Sequence, residues 1–198
     1  MSTNAPSWYF PAVDGDVPDR LKSLFRAAEK DLGFAPNVFR AYGYRPERMS
    51  AWFAHYHQLH EPTENLSAAD REMIAVVVSS LNNCTYCMVS HGATLREELG
   101  DPELGERIGI NWRHAGLDPK RYAICEYAEK ITVRPNECTP EDLKALSEFG
   151  LTDEELWDVV ELAAMYAFTN RLASATGQQA NREYYYMGRE APSNTGDR

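Results

Sequence analysis

The sequence predicts an all-α fold, and three observations predict it. Apolar residues recur at steps of three and four through almost every patterned segment, the period of an amphipathic helix. Helix start and stop residues stand at the ends of those segments. No convincing strand has a partner, and a lone buried strand would leave its backbone groups unsatisfied. At 198 residues, with 43% hydrophobic and 25% charged, the chain has the composition of one globular domain, expected to span 1–198 without repeat or dividing linker.

Residues 1–17 read as an extended N-terminal arm. Leu21, Leu24, Phe25, Ala28 and Leu32 then share one face of a first helix, and Met49, Trp52, Phe53 and Tyr56 one face of a second. The run 73–81 is rich in β-branched residues, and periodicity alone does not assign it. Ser67 and Asp70 stand three apart as a capping box, and helix-favouring residues lead straight from them into the run. A buried helix over Ala68–Leu81 follows. Asn83 reads as the N-cap of the next helix, which would place Cys84 and Cys87 in its first turn. Asp118-Pro119 opens a helix through Ile124, Tyr127, Ala128 and Ile131. Thr139-Pro140 opens another, with Leu143, Leu146 and Phe149, closed at Gly150. Thr152 and Glu155 cap the longest helix, through Leu156, Val159, Ala163 and Ala167, with Gly177 as its stop. Residues 188–198 read as a flexible tail.

Twenty basic residues against 30 acidic ones give a formal charge of -10, which repels polyanions, so neither nucleic acid nor an anionic membrane is an expected partner. No apolar run approaches the roughly 18 residues of a membrane span and no signal segment opens the chain, so a cytoplasmic location is expected. Four cysteines are too few for a disulfide framework. In a reducing compartment, a close pair among them points to metal or redox chemistry.

The close pair is Cys84 and Cys87, with His91 four residues on. Each residue turns about 100° around a helix axis, so the three fall within roughly 60° of one another. Free N–H groups at a helix start and a nearby imidazole both favour a thiolate. Across an antiparallel helix hairpin turning at Asn82-Asn83, Glu72 would face His91, and a buried carboxylate needs such a partner. Glu72 would orient His91, and His91 would exchange a proton with a cysteine. Helix-terminus electrostatics favour Cys84 as the attacking sulfur, whereas nearness to His91 favours Cys87, and the balance leans to Cys87.

Zinc would find four ligands in Cys84, Cys87, His91 and Glu72, but three on one stripe with no second cysteine pair make a poor closed site. Redox chemistry is therefore preferred, with no metal expected. His55 and His60 point about 140° apart on a helix, so with His57 they read as surface or interface histidines. Cys125 and Cys138 read as small buried hydrophobes, and the 184–187 tyrosine-methionine cluster as a packing patch or subunit contact. Asn170 and Arg171 read as structural groups bridging to Glu72 or to a neighbouring subunit, with substrate contact as the lesser alternative.

The pattern Glu72, eleven residues, Cys84-x-x-Cys87, three residues, His91 resembles the core of the alkylhydroperoxidase D and carboxymuconolactone decarboxylase superfamily, in its cysteine-bearing, peroxidase-related branch. The stretch 167–177, with Asn170-Arg171, is similar to the helix that follows the core there. The resemblance implies an all-helical, AhpD-like domain in a homo-oligomer, trimer or hexamer. It implies reduction of organic hydroperoxides by the cysteine pair, recycled by a lipoyl or thioredoxin-like thiol donor, with no cofactor. Carried over by position, Glu72 is the relay carboxylate, Cys84 and Cys87 the redox cysteines and His91 the relay histidine. The chain departs from the type enzyme in Tyr86, which replaces a histidine between the cysteines, and in an extra helical N-terminal region. The rival decarboxylase activity belongs to a branch without the cysteine pair, and a redox sensor would use the same pair as a switch.

Overall fold

The computed structural model describes residues 6–8 and 19–189. Among these residues every regular element is helical and none is a strand, so the fold is all-α as expected. In chain order the helices are α1 (Asp19–Leu32), α2 (Asn37–Tyr42), α3 (Pro46–His60), α4 (Ala68–Leu81), α5 (Thr85–Leu99), α6 (Pro102–Asn111), α7 (Pro119–Val133), α8 (Pro140–Ser147) and α9 (Asp153–Thr176). Helices α2 and α6 lie outside the sequence expectations, although α6 opens on Asp101-Pro102 just as α7 opens on Asp118-Pro119. The expected arm over 1–17, apart from residues 6–8, and the expected tail beyond Arg189 lie outside the described residues. Among the described residues no helix is long and apolar enough to cross a membrane.

Helix α4 is the axis of the molecule. Its residues 73–78 are buried on every side because α5, α6, α7 and α9 pack around it. The β-branched side chains cost a few tenths of a kcal/mol each in helix propensity, and full burial offsets that several times over at about 25 cal/mol per Å². The start is fixed locally: the Ser67 hydroxyl accepts the Asp70 N–H at 3.2 Å, and Asp70 accepts the Ser67 N–H at 3.1 Å. Arg71 is fully buried, donating to the Leu59 carbonyl at 2.6 Å and to Asp158 at 2.8 Å. That one guanidinium ties the end of α3 to α4 and α9.

The turn into α5 corrects one expectation. Asn83 closes α4 instead of capping α5: its φ is +52, its N–H donates to the Ser80 carbonyl at 3.1 Å, and the Cys84 N–H donates to the Ser79 carbonyl at 3.0 Å. This is the left-handed helix ending that asparagine tolerates better than most residues. The N-cap role passes to Cys84, whose sulfur accepts the Cys87 N–H at 3.4 Å.

The N-terminal helices form a cap stapled to the C-terminal segment. Asn37 and Asn181 make the staple: Asn181 Oδ1 accepts the Asn37 N–H at 2.6 Å, and Asn181 Nδ2 donates to the Ala35 carbonyl at 3.0 Å. Trp8 seals the far end, donating to the Thr176 carbonyl at 2.9 Å. Its ring lies against Gly177, which ends α9 at φ +61 and where an added Cβ would meet the indole at 1.9 Å. Both the backbone angle and the close approach require glycine there.

Candidate active site

The antiparallel packing of α4 on α5 brings Glu72 against His91, with Oε2 2.8 Å from Nδ1. Burial pushes the Glu72 carboxyl up, but His91 and then His60 outweigh it and hold the group below its ordinary value. An ionised carboxylate only accepts, so His91 Nδ1 carries the hydrogen of this bond.

His60 corrects a second expectation. It is no surface histidine: it is largely buried, with Nδ1 2.8 Å from the Tyr56 carbonyl and Nε2 2.7 Å from the Tyr166 hydroxyl. A carbonyl cannot donate, so His60 holds its hydrogen on Nδ1 and Nε2 accepts from Tyr166. Burial lowers its pKa, keeping the ring neutral. Its Nε2 lies 3.7 Å from Glu72 Oε1, and the Tyr166 oxygen lies 3.4 Å from His91 Nδ1. Glu72 therefore lies between two imidazoles. A signal for His60 exists in the sequence: it continues the Met49, Trp52, Phe53, Tyr56 stripe by one more turn. Tyr166 and Asn170 likewise continue the buried face of α9 after Val159, Leu162 and Ala163. His57 lines the same region, while His55 stays exposed, 3.0 Å from Glu161.

Both site cysteines are free thiols and buried. The Cys84 thiol is lowered to about 6, chiefly because Cys87 donates to it through its side chain and then through its backbone N–H; Ser174 and Asn170 assist. As the donor of that bond, and by its own burial, Cys87 is pushed up. The negative charge thus rests on Cys84 and the shared proton on Cys87. Asn170 donates to Ser79 at 2.9 Å and accepts from Asn82 at 3.0 Å, anchoring the turn beside the sulfurs. Neither Asn170 nor Arg171 bridges to Glu72; Arg171 is exposed and donates to the Ala167 carbonyl of its own helix. Tyr86 is buried and its oxygen accepts the Val38 N–H at 3.2 Å, locking α5 to the N-terminal cap.

A cavity of about 380 Å³ opens over this cluster. Cys87, His91, Glu72 and Tyr166 line one side, and Leu24, Ala28, Phe39 and Trp52 from the cap line the other. Cys84 stands behind Cys87 and does not line it. No hydrogen bond joins His91 to either sulfur, so a proton passing between them needs a molecule in the cavity as carrier. Of the remaining candidates, Cys125 is fully buried in the main core and Cys138 is half-buried against it. Tyr184 packs edge-on against Phe34 and joins the cavity wall, which the packing-patch reading did not foresee, while Tyr185 and Tyr186 are exposed. Among the described residues no group of three or more His, Cys, Asp or Glu side chains is arranged to hold a metal ion.

Comparisons place this geometry in context. The profile of the Carboxymuconolactone decarboxylase family matches residues 46–109. An uncharacterized peroxidase-related protein from Silicibacter sp. TM1040 has a solved structure that superposes with a TM-score of 0.88 at 38% identity, over 96% of this chain and 100% of that one. A second uncharacterized peroxidase-related protein, an alkylhydroperoxidase AhpD core from Ralstonia eutropha JMP134, gives 0.85 at 34% identity, over 89% and 93%. The uncharacterized protein YdfG of Bacillus subtilis (strain 168) is 26% identical over 117 residues, 59% of this chain and 79% of that protein.

Proposed function

Because this chain belongs to the alkylhydroperoxidase D and carboxymuconolactone decarboxylase superfamily, in its peroxidase-related branch, we propose that it reduces organic hydroperoxides with its Cys84, Cys87 dithiol. The observation that carries the reading is the buried Glu72 to His91 hydrogen bond of 2.8 Å, beside a cavity that Cys87 also lines. Relatives named as peroxidase-related support it.

Cys87 gives its proton to His91 Nε2 through the molecule in the cavity, and Glu72 stabilises the imidazolium that forms. The Cys87 sulfur attacks one peroxide oxygen, the O–O bond breaks, and the departing alkoxide takes the proton back as an alcohol. Cys87 is left as a sulfenic acid, two electrons poorer. The Cys84 thiolate then attacks the Cys87 sulfur; hydroxide leaves, is protonated to water, and a disulfide remains. A thiol donor of the lipoyl or thioredoxin class returns two electrons and two protons. On the same reading the chain is a single-domain homo-oligomer, trimer or hexamer, working in the cytoplasm. The roles follow position: Cys87 faces the substrate, and Cys84, behind it with the lowered pKa, resolves.

Thiol titration before and after one equivalent of cumene hydroperoxide tests this directly. The expected loss is two thiols per chain, with mass spectrometry placing the link between Cys84 and Cys87. Cys84→Ser is expected to retain a sulfenic acid on Cys87, and Cys87→Ser to leave the peroxide unconsumed. Unchanged thiols in the wild type would end the proposal.

A further inference from the structure

The cavity wall opposite the dithiol is contributed by the N-terminal cap, much of it ahead of the family-matched residues 46–109. Leu24, Ala28 and Leu32 from α1 and Phe39 from α2 face Trp52 and Phe53 from α3 around the space. The rings meet edge to face, Phe39 with Phe53 at 5.1 Å between centroids and Tyr42 with Trp52 at 4.8 Å. Such a wall presents ring faces and edges to a guest, and its volume of about 380 Å³ is within the usual range for pockets taking whole organic molecules, roughly 300–1,000 Å³. Hydrogen peroxide would leave most of it unfilled.

Charge narrows the class further. The lining includes the carboxylates of Asp31 and Glu72 and, among the described residues, no lysine or arginine. An anionic guest would lose its hydration without meeting a fixed cation.

Resting on the peroxidase reading, we propose that this cavity selects uncharged, ring-bearing organic hydroperoxides, with the apolar body against α1–α3 and the O–O bond toward Cys87. The cap is then the specificity element, and the hairpin beneath it the chemical one.

The test measures binding apart from turnover. Calorimetric titration of the wild type uses 2-phenyl-2-propanol, the alcohol that cumene hydroperoxide would yield, and 2-hydroxy-2-phenylpropanoate, the same skeleton with a carboxylate in place of one methyl. The neutral alcohol is expected to bind, and the carboxylate to bind at least roughly tenfold more weakly. Ala28→Phe, which fills the wall, is expected to weaken alcohol binding roughly tenfold and to lower the cumene-to-hydrogen-peroxide ratio of kcat/KM by a similar factor. Ala27→Phe, at an exposed lining position, repeats the test where folding is least at risk. Equal binding of both compounds, no binding of the alcohol, or two folded variants that bind like wild type would each overturn the inference. Alcohol binding without peroxide consumption would instead sink the peroxidase reading alone, and peroxide consumption without discrimination would sink the cavity inference alone.

Discussion

Glu155 and Glu72 are both buried carboxylates, and they are held in opposite ways. Glu155, at the start of α9, accepts from the Thr63 hydroxyl at 2.6 Å, the Asn65 N–H at 2.9 Å and the Thr152 N–H at 2.8 Å. Burial pushes its pKa up, but those hydrogen bonds outweigh it and hold the group at about 2. None of those donors ionises near neutral pH. Glu72, in the middle of the fold, has the His91 imidazole at 2.8 Å and the His60 imidazole at 3.7 Å. Both partners are imidazoles, side chains whose ordinary titration range lies near neutral pH. The lesson is that burial of a charge does not by itself mark a reactive site; the capacity of its partners to titrate does.

The largest expected effect breaks the comparison at its reactive end. Glu72→Gln keeps an acceptor for His91 but removes the charge that stabilises an imidazolium, so kcat for hydroperoxide should fall about 10²–10⁴-fold. A stopped-flow assay measures it, and a loss under about threefold would remove Glu72 from the relay.

The buried Cys84 thiolate tests whether titratable partners set the pKa. Ultraviolet titration of thiolate should give a midpoint of about 6 in the wild type, against an ordinary value of 9.0. Cys87→Ala, which removes the foremost donor, should move it up toward 9.0. The thiolate favours the folded state fully above pH 9.0, and that contribution disappears as pH falls to about 6.

At the structural end, Glu155→Gln turns one acceptor into a donor facing donors. Urea unfolding should show a loss of about 1–3 kcal/mol, with peroxide consumption per folded molecule unchanged. In the wild type the Glu155 contribution is complete above 4.5 and lost as pH falls toward about 2; the variant should lack that acid dependence. The smallest effect sharpens the boundary between the two regions. Tyr166→Phe leaves His60 Nε2 without its donor and should cost about 1 kcal/mol of stability and less activity than Glu72→Gln. An equal loss of activity would place Tyr166 on the proton path itself.

Legibility followed sequence separation. The Ser67 with Asp70 and Thr152 with Glu155 boxes span three residues each, so their donors and acceptors meet once a single turn forms. Glu72 and His91 are nineteen apart, yet a tight hairpin makes their meeting nearly local. The N-cap of α5 lies one residue beyond Asn83 because asparagine suits two roles, and only the left-handed ending of α4 decides between them. His60 and Tyr166, 106 residues apart, could not be paired before α3 and α9 were seen to pack.

By itself the sequence determined all the helices but α2 and α6, most of their caps, and the spacing of Cys84, Cys87 and His91, because helical period and capping depend on neighbours within a turn. The tertiary structure decided the second imidazole, the Tyr166 bridge, the cavity that Cys87 lines and Cys84 does not, and the aromatic roof over them. Those depend on which faces meet across the chain, and many sequences with the same local pattern could pack them differently.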